Sequence, residues 1–211
     1  MKKVNESLVH YVESSIIPRY RNFDKAHDES HARTVIEQSL SLANYYDVDP
    51  DMVYAAAAFH DTGLAFGREE HHTHSGRIIR NDPRLREWFS EQQIETIACA
   101  AEDHRASSSH PPRTIYGCII AEADRIIDPE TIIRRTVQYG MSHYPELDRE
   151  GHWQRLLSHM AEKYDYGGYL KLWIPESPNA ERLEAFRRDY LSNPPKLREV
   201  FERYYAEYAG S

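Results

Sequence analysis

The stretch DPDMVYAAAAFHDTG, residues 49–63, decides the fold class. Asp49 can cap a helix through its side chain, and Pro50 presets a first-turn φ without needing a backbone donor, so a helix opens there. It runs through the alanines at 55–58, ends beside Gly63, and delivers His60 and Asp61 to its own C-terminal end. Outward from this stretch the same grammar repeats. Residues 4–17 read as a helix stopped by Pro18, and residues 28–46 carry Val35, Ile36, Leu40, Leu42 and Ala43 on one apolar face. Further helices are predicted at 69–81, at 90–104 with Ser90 and Gln93 as a capping box, and at 114–127. Asp128-Pro129 opens the next, and segments at 150–163, 178–191 and 195–208 follow, separated by Gly167-Gly168 and Pro175/Pro178. No run of alternating β-branched residues intervenes, so the expectation is an all-α bundle of about nine helices.

The length, 211 residues, suits one domain, 1–211, with a core of its own. Hydrophobic residues make up 40%, charged residues 28%, and the net charge is -8, an ordinary globular balance. No apolar stretch of about eighteen residues exists, and the start MKKVNESLVHYVESS breaks at Asn5 and Glu6 before a signal-peptide core could form. A cytoplasmic protein with no membrane partner is expected. The acidic balance argues against nucleic acid, which usually meets a clustered basic face. The arginines in 182–188 and 196–203 alternate with glutamates at helical spacing, as on a solvated face. Cys99 and Cys118 lack paired CxxC spacing and read as small core residues.

Twelve histidines is the unusual count. Divalent metals take imidazole nitrogen and carboxylate oxygen from side chains that converge within a helical bundle. His31 lies in the first turn of a helix, His60 and Asp61 end another, and Asp124 sits in the run IIAEADRII. An ionised carboxylate among Ile119, Ile120, Ile126 and Ile127 must be paired, hydrogen-bonded or ligating.

The motifs HDESHARTV around His31, AAFHDTG around His60-Asp61 and AEADRI around Asp124, in that order, resemble the HD-domain superfamily of metal-dependent phosphohydrolases. The resemblance covers about 24–128, leaving about 129–211 as a helical C-terminal extension. It implies a helical bundle in which His31, His60, Asp61 and Asp124 bind a divalent cation, with Asp61 orienting or activating water. Two departures stand out. The Arg often found three residues after the first His is replaced by Thr34, with Arg33 one earlier. The Lys that follows the His-Asp-x-Gly turn in the cyclic-dinucleotide branch is absent, since the chain continues Leu64-Ala65-Phe66, which argues against that branch.

Some relatives hold a second metal through two more histidines. EEHHTHSGRIIR resembles their His followed four residues later by a small pair, which selects His71 with Ser75-Gly76 over His72 and His74, and AAEDHRAS offers His104. The cofactor implied is one or two divalent ions per chain, Mn, Ni, Zn, Mg or Fe. If one metal is bound, the free histidines would serve the substrate as donors or acids. Phosphoryl transfer also needs positive side chains against the developing charge, for which Arg105, Arg125 and Arg113 are candidates, with Glu69 or Glu70 as a general base. The catalytic set expected is therefore Asp61, His104 and Arg105, acting on a small phosphorylated substrate, with a second copy of the chain as the protein partner in a homodimer.

Each residue alone has a plainer reading, since a lone His on a helix is usually a hydrogen-bonded or surface group. His10, His110, His143, His152 and His159 are read so, and His27 as a hydrogen-bonding partner of a ligand or substrate. Tyr164, Tyr166, Tyr169 and Trp173 fit packing better than nucleobase stacking. Two rival functions remain: a di-iron oxygenase on the same scaffold, which requires His71 and His104 to ligate, and a non-catalytic ligand-binding module, which has no need of all four core ligands.

Overall fold

The computed structural model describes residues 3–23 and 27–210. The lysine at position 2 and the expected start of the motif-bearing core near Asp24 lie outside them. The described residues form ten α-helices, with short 3-10 turns among the connections and a π-helical stretch at Arg187–Leu191, and no strand. None of these helices is long and apolar enough to cross a membrane. The chain divides into two compact units, Met1–Arg125 with Leu172–Ser177, and Ile126–Lys171 with Pro178–Ser211.

The first unit contains α1 (Glu6–Ser15), α2 (Glu29–Leu42), α3 (Pro50–Phe59), α4 (His71–Asn81), α5 (Glu91–Glu102) and α6 (Ile115–Ala123). Helix α3 is its axis. Asp49 caps it by accepting from the Asp51 N–H, and every residue from Met52 to Phe59 is buried. Helices α2, α5 and α6 all pack on it. The small side chains of Ala55, Ala56, Ala57 and Ala58 on α3 and of Ala98, Ala100 and Ala101 on α5, all fully buried, permit that crowding. Larger apolar groups such as Phe59, Ile97 and Ile119 fill the space between, each contributing roughly 1.5–3 kcal/mol by leaving water. The capping box at the start of α5 is present: Ser90 N–H donates to Gln93 Oε1 at 3.0 Å and Gln93 N–H to Ser90 Oγ at 3.4 Å.

Helix α4 lies against α5 and the 3-10 turn Thr62–Phe66. Gly63 N–H donates to Ser75 Oγ at 2.9 Å. A Cβ on Gly63 would fall 2.0 Å from the His71 carbonyl oxygen, and one on Gly76 would fall 2.2 Å from Glu102 Oε1. The small pair Ser75-Gly76 is thus what lets α4 approach both neighbours. The segment Leu172–Ser177 belongs to this unit because Glu122, fully buried, accepts from Trp173 N–H at 2.7 Å and Ile174 N–H at 3.4 Å.

The second unit contains α7 (Pro129–His143), α8 (Arg149–Lys163), α9 (Asn179–Phe186) and α10 (Pro194–Ala209). Asp128 caps α7 by accepting from Thr131 N–H at 2.8 Å. Ile133 on α7, Leu156 on α8 and Phe201 on α10 are among its buried side chains. Tyr164 is buried edge-on to Phe186, whereas Tyr166 is exposed.

Three local readings need correction. Helix α6 ends at Ala123, making Asp124 its C-cap, because Arg125 N–H turns back to the Glu122 carbonyl. Arg187 is not on a solvated face: its side chain is only 17% exposed and its Nε donates to the Tyr164 carbonyl at 2.7 Å. Cys99 and Cys118 are free thiols but only half-buried.

Gly63→Ala should lower the unfolding free energy by about 1–3 kcal/mol, since a methyl group there overpacks against backbone that cannot move aside. Chemical denaturation of wild type and variant measures it, and an unchanged midpoint would contradict the packing described.

Candidate metal centre

Three helix ends and two helix starts meet in the first unit. Asp28 caps α2 by accepting from Ser30 N–H at 2.9 Å and His31 N–H at 3.0 Å, which sets His31 in the first turn. His60 is the C-cap of α3 and Asp61 follows it. His71 is the first residue of α4. His104 follows the end of α5, and Asp124 caps α6.

The six side chains form two donor sets that share one carboxylate. In the first, His31 Nε2 lies 3.3 Å from His60 Nε2, 3.5 Å from Asp61 Oδ2 and 3.3 Å from Asp124 Oδ1. His60 Nε2 is 3.2 Å from Asp61 Oδ2 and 3.9 Å from Asp124 Oδ1. In the second, Asp61 Oδ1 is 3.3 Å from His71 Nε2 and 3.4 Å from His104 Nε2, and the two nitrogens are 3.2 Å apart. Asp61 therefore turns one oxygen to each set.

The tautomers follow from chemistry. His60 Nδ1 lies 2.7 Å from the Ala57 carbonyl, His71 Nδ1 2.7 Å from the Arg68 carbonyl, and His104 Nδ1 2.5 Å from the Ala101 carbonyl. A carbonyl only accepts, so each Nδ1 carries the proton and, in a neutral ring, each Nε2 presents a lone pair to the cluster. Lone pairs facing one another at such distances repel unless a cation or proton lies between them.

The donor set fits a divalent metal. Ligand bonds of about 2.0–2.2 Å place neighbouring donors about 3.0–3.5 Å apart in octahedral or tetrahedral arrangements. All but one of the spacings above fall in that range. The mixture of imidazole and carboxylate suits Zn, Mn, Fe or Ni better than Ca, which takes oxygen ligands.

Electrostatics agree. Burial by itself would raise the Asp61 carboxyl, but the imidazoles of His60, His104 and His31 outweigh it and hold Asp61 well below the usual carboxylate range. Asp124 is likewise lowered against its burial, chiefly by His31. Burial disfavours a charged His31, yet the Asp124 and Asp61 carboxylates push it up to about 9. Burial and the neighbouring His104 drive His71 down to about 4.

The other candidates lie outside the two donor sets, some of them against those sets. His72 and His74 are outside both donor sets, His74 packing on Phe66. His27 sets its ring edge-on to His31 at 5.7 Å. Arg125 is buried and donates to Asp124 Oδ2 at 3.4 Å. Arg113 is tied to Asp103 and Glu102. Arg105 donates through Nη1 to the Glu69 carbonyl at 2.7 Å, while Glu69 and Glu70 are exposed. Sequence reasoning passed over Tyr20, fully buried, whose hydroxyl donates to the Ala58 carbonyl at 3.0 Å and accepts from Asp61 N–H at 3.3 Å. It fixes the turn that carries Asp61; nothing in the local sequence around a tyrosine 41 residues away signals this.

The family model described as HD domain matches residues 29–127. The crystal structure of a predicted HD superfamily hydrolase from an uncultured Thermotogales bacterium is similar in fold. It has 22% sequence identity and a TM-score of 0.50, and the match covers 77% of this chain and 91% of that one. No curated protein matches the sequence.

Two outcomes check the centre. Elemental analysis should find two metal ions per chain in wild type and one in His71→Ala or His104→Ala; stoichiometry unchanged by either substitution would remove the second donor set. Because His31 keeps a proton up to about pH 9 and an imidazolium cannot ligate, metal affinity should rise with pH, by about tenfold per unit, until His31 has given up that proton. Competition titrations at several pH values measure the slope, and a flat profile would contradict the proton assignment.

Proposed function

We propose, for a chain that belongs to the HD-domain superfamily through residues 29–127, that it is a metal-dependent phosphohydrolase acting on a small phosphate ester. The observation that carries the proposal is the shared carboxylate, with Asp61 facing His31 and His60 through one oxygen and His71 and His104 through the other. Two adjacent donor sets are what an in-line displacement at phosphorus uses, one for each of the attacking and leaving oxygens. His31, His60 and Asp124 on one side and His71 and His104 on the other, with Asp61 between them, would hold divalent cations, whose chemistry there would be Lewis acidity toward water and the phosphoryl group.

The chain's own residues set the conditions for that chemistry. The carbonyls of Ala57, Arg68 and Ala101 hold three imidazoles in the tautomer that offers Nε2. Tyr20 anchors the backbone of Asp61, and Arg125 sits against Asp124, where its guanidinium adds positive charge. With neutral histidines, two dications against two carboxylates would leave about two positive charges and Arg125 a third, a surplus that favours a phosphate monoester dianion. Burial of Asp61, His60 and His104 keeps these interactions in a medium of low polarity, where they are strong.

The six-donor set is also what the di-iron oxygenase reading requires, and iron-dependent consumption of dioxygen would identify it. Under the hydrolase reading, Asp61→Ala should abolish phosphatase activity on a generic aryl phosphate while leaving the helical circular-dichroism signal intact. Full activity in that variant would sink the mechanism.

A further inference from the structure

Beside the metal centre, the structure holds a second polar feature that the chemistry above does not use. It is a cavity of about 390 Å³ whose wall includes His72, Arg105, Ser107, Ser108, Ser109 and His110. Two of these residues directly follow donors of the second set: His72 follows His71 on α4, and Arg105 follows His104 beyond the end of α5. The cavity and the centre thus share the same two chain segments.

Its charge is one-sided. Glu102, also on the wall, is neutralised by Arg80 and Arg113, and Arg113 is further engaged by Asp103. Arg105 has a carbonyl partner, Glu69, and no carboxylate partner among the described residues. Its guanidinium therefore retains donors and an uncompensated charge toward the cavity. The hydroxyls of Ser107 and Ser109 have no protein hydrogen bond among the described residues, and the Ser108 hydroxyl accepts only a long one, 3.4 Å, from His110 N–H. Nδ1 of His72 is buried and unpartnered among the described residues.

A guanidinium, three serine hydroxyls and the His72 imidazole around one space form a donor array for an oxyanion, while His110 donates through Nδ1 to the Pro111 carbonyl at 2.9 Å. A tetrahedral phosphoryl group, with up to three free oxygens, uses such an array more fully than a planar carboxylate with two. The volume accommodates that group together with the atoms that carry it. We infer that this cavity is an anion subsite that binds a second phosphoryl group of the substrate, away from the bond that breaks, an assignment that for its substrate rests on the hydrolase reading above. The substrate class it selects is a phosphate ester bearing a further phosphate.

The test is calorimetric titration of the full chain, with its metal as purified, against inorganic phosphate. A phosphate-binding event is expected that Arg105→Gln weakens by about tenfold or more and Arg105→Lys partly restores. Because Arg105 also holds the Glu69 carbonyl, Ser109→Asp, at an exposed position, provides a second probe: it should weaken the same event by charge repulsion without touching packed residues. In steady-state kinetics a bisphosphate should show a lower KM than the corresponding monophosphate, and Arg105→Gln should erase the difference. Phosphate binding that is absent, or that none of the three variants alters, overturns the subsite even if esters are hydrolysed. Variant-sensitive phosphate binding without hydrolysis of any ester leaves the subsite standing and removes the hydrolase reading instead.

Discussion

One carboxylate organises the first unit. Both oxygens of Asp61 face imidazole nitrogens at 3.2–3.5 Å, two on each side. For this to occur, α2 must begin, α3 and α5 must end, and α4 must start within a few ångströms of one point. The imidazoles of His60 and His104, tied to carbonyls three residues earlier, cannot turn away without breaking a buried hydrogen bond, at a cost of about 1–3 kcal/mol for the group left unsatisfied, and His71 is tied in the same way by an exposed one. The rings are thereby held facing one another through lone pairs, an arrangement suited to a cation.

Convergence of that kind demands small side chains where the elements cross. The alanines of α3 and α5 bring their backbones close, and Gly63, Ser75 and Gly76 let α4 lie on both the turn after Asp61 and α5. The packing and the chemistry are therefore one constraint: each small residue that looks like mere helix spacing is also what sets the distance from His71 to Asp61. The hydrogen bond from Gly63 N–H to Ser75 Oγ ties the two together directly.

Much of this was legible in the sequence because its signals are local. Caps at Asp28, Asp49, Ser90 and Asp128 act within three residues, so helix starts could be placed closely. The ordered His, His-Asp and Asp motifs singled out His31, His60, Asp61 and Asp124. His71 was preferred over His72 and His74 through the resemblance alone, by the small pair Ser75-Gly76 four residues on; physically, the contacts of α4 with α5 and the 62–66 turn are what present His71 to Asp61. Tyr20 and Glu122 were passed over because each acts on backbone groups 38 or more residues away. Helix ends were harder still, since α6 stops at Asp124 within an apolar run that continues through Ile126 and Ile127.

Gathering these polar groups in one place has a cost in stability. Two ionised carboxylates and four imidazoles gathered in a largely buried site incur desolvation that apolar side chains of similar volume would not. Without metal, the cost is partly offset by a proton on His31, which the flanking carboxylates hold up to about pH 9. Because the same carboxylates would attract a metal ion, a cation bound among these donors would compete with that proton. A cluster kept only for folding would gain by becoming apolar; here the donors are oriented by separate backbone carbonyls, and the backbone of the shared Asp61 is held by a buried tyrosine, an arrangement that could hold a metal ion.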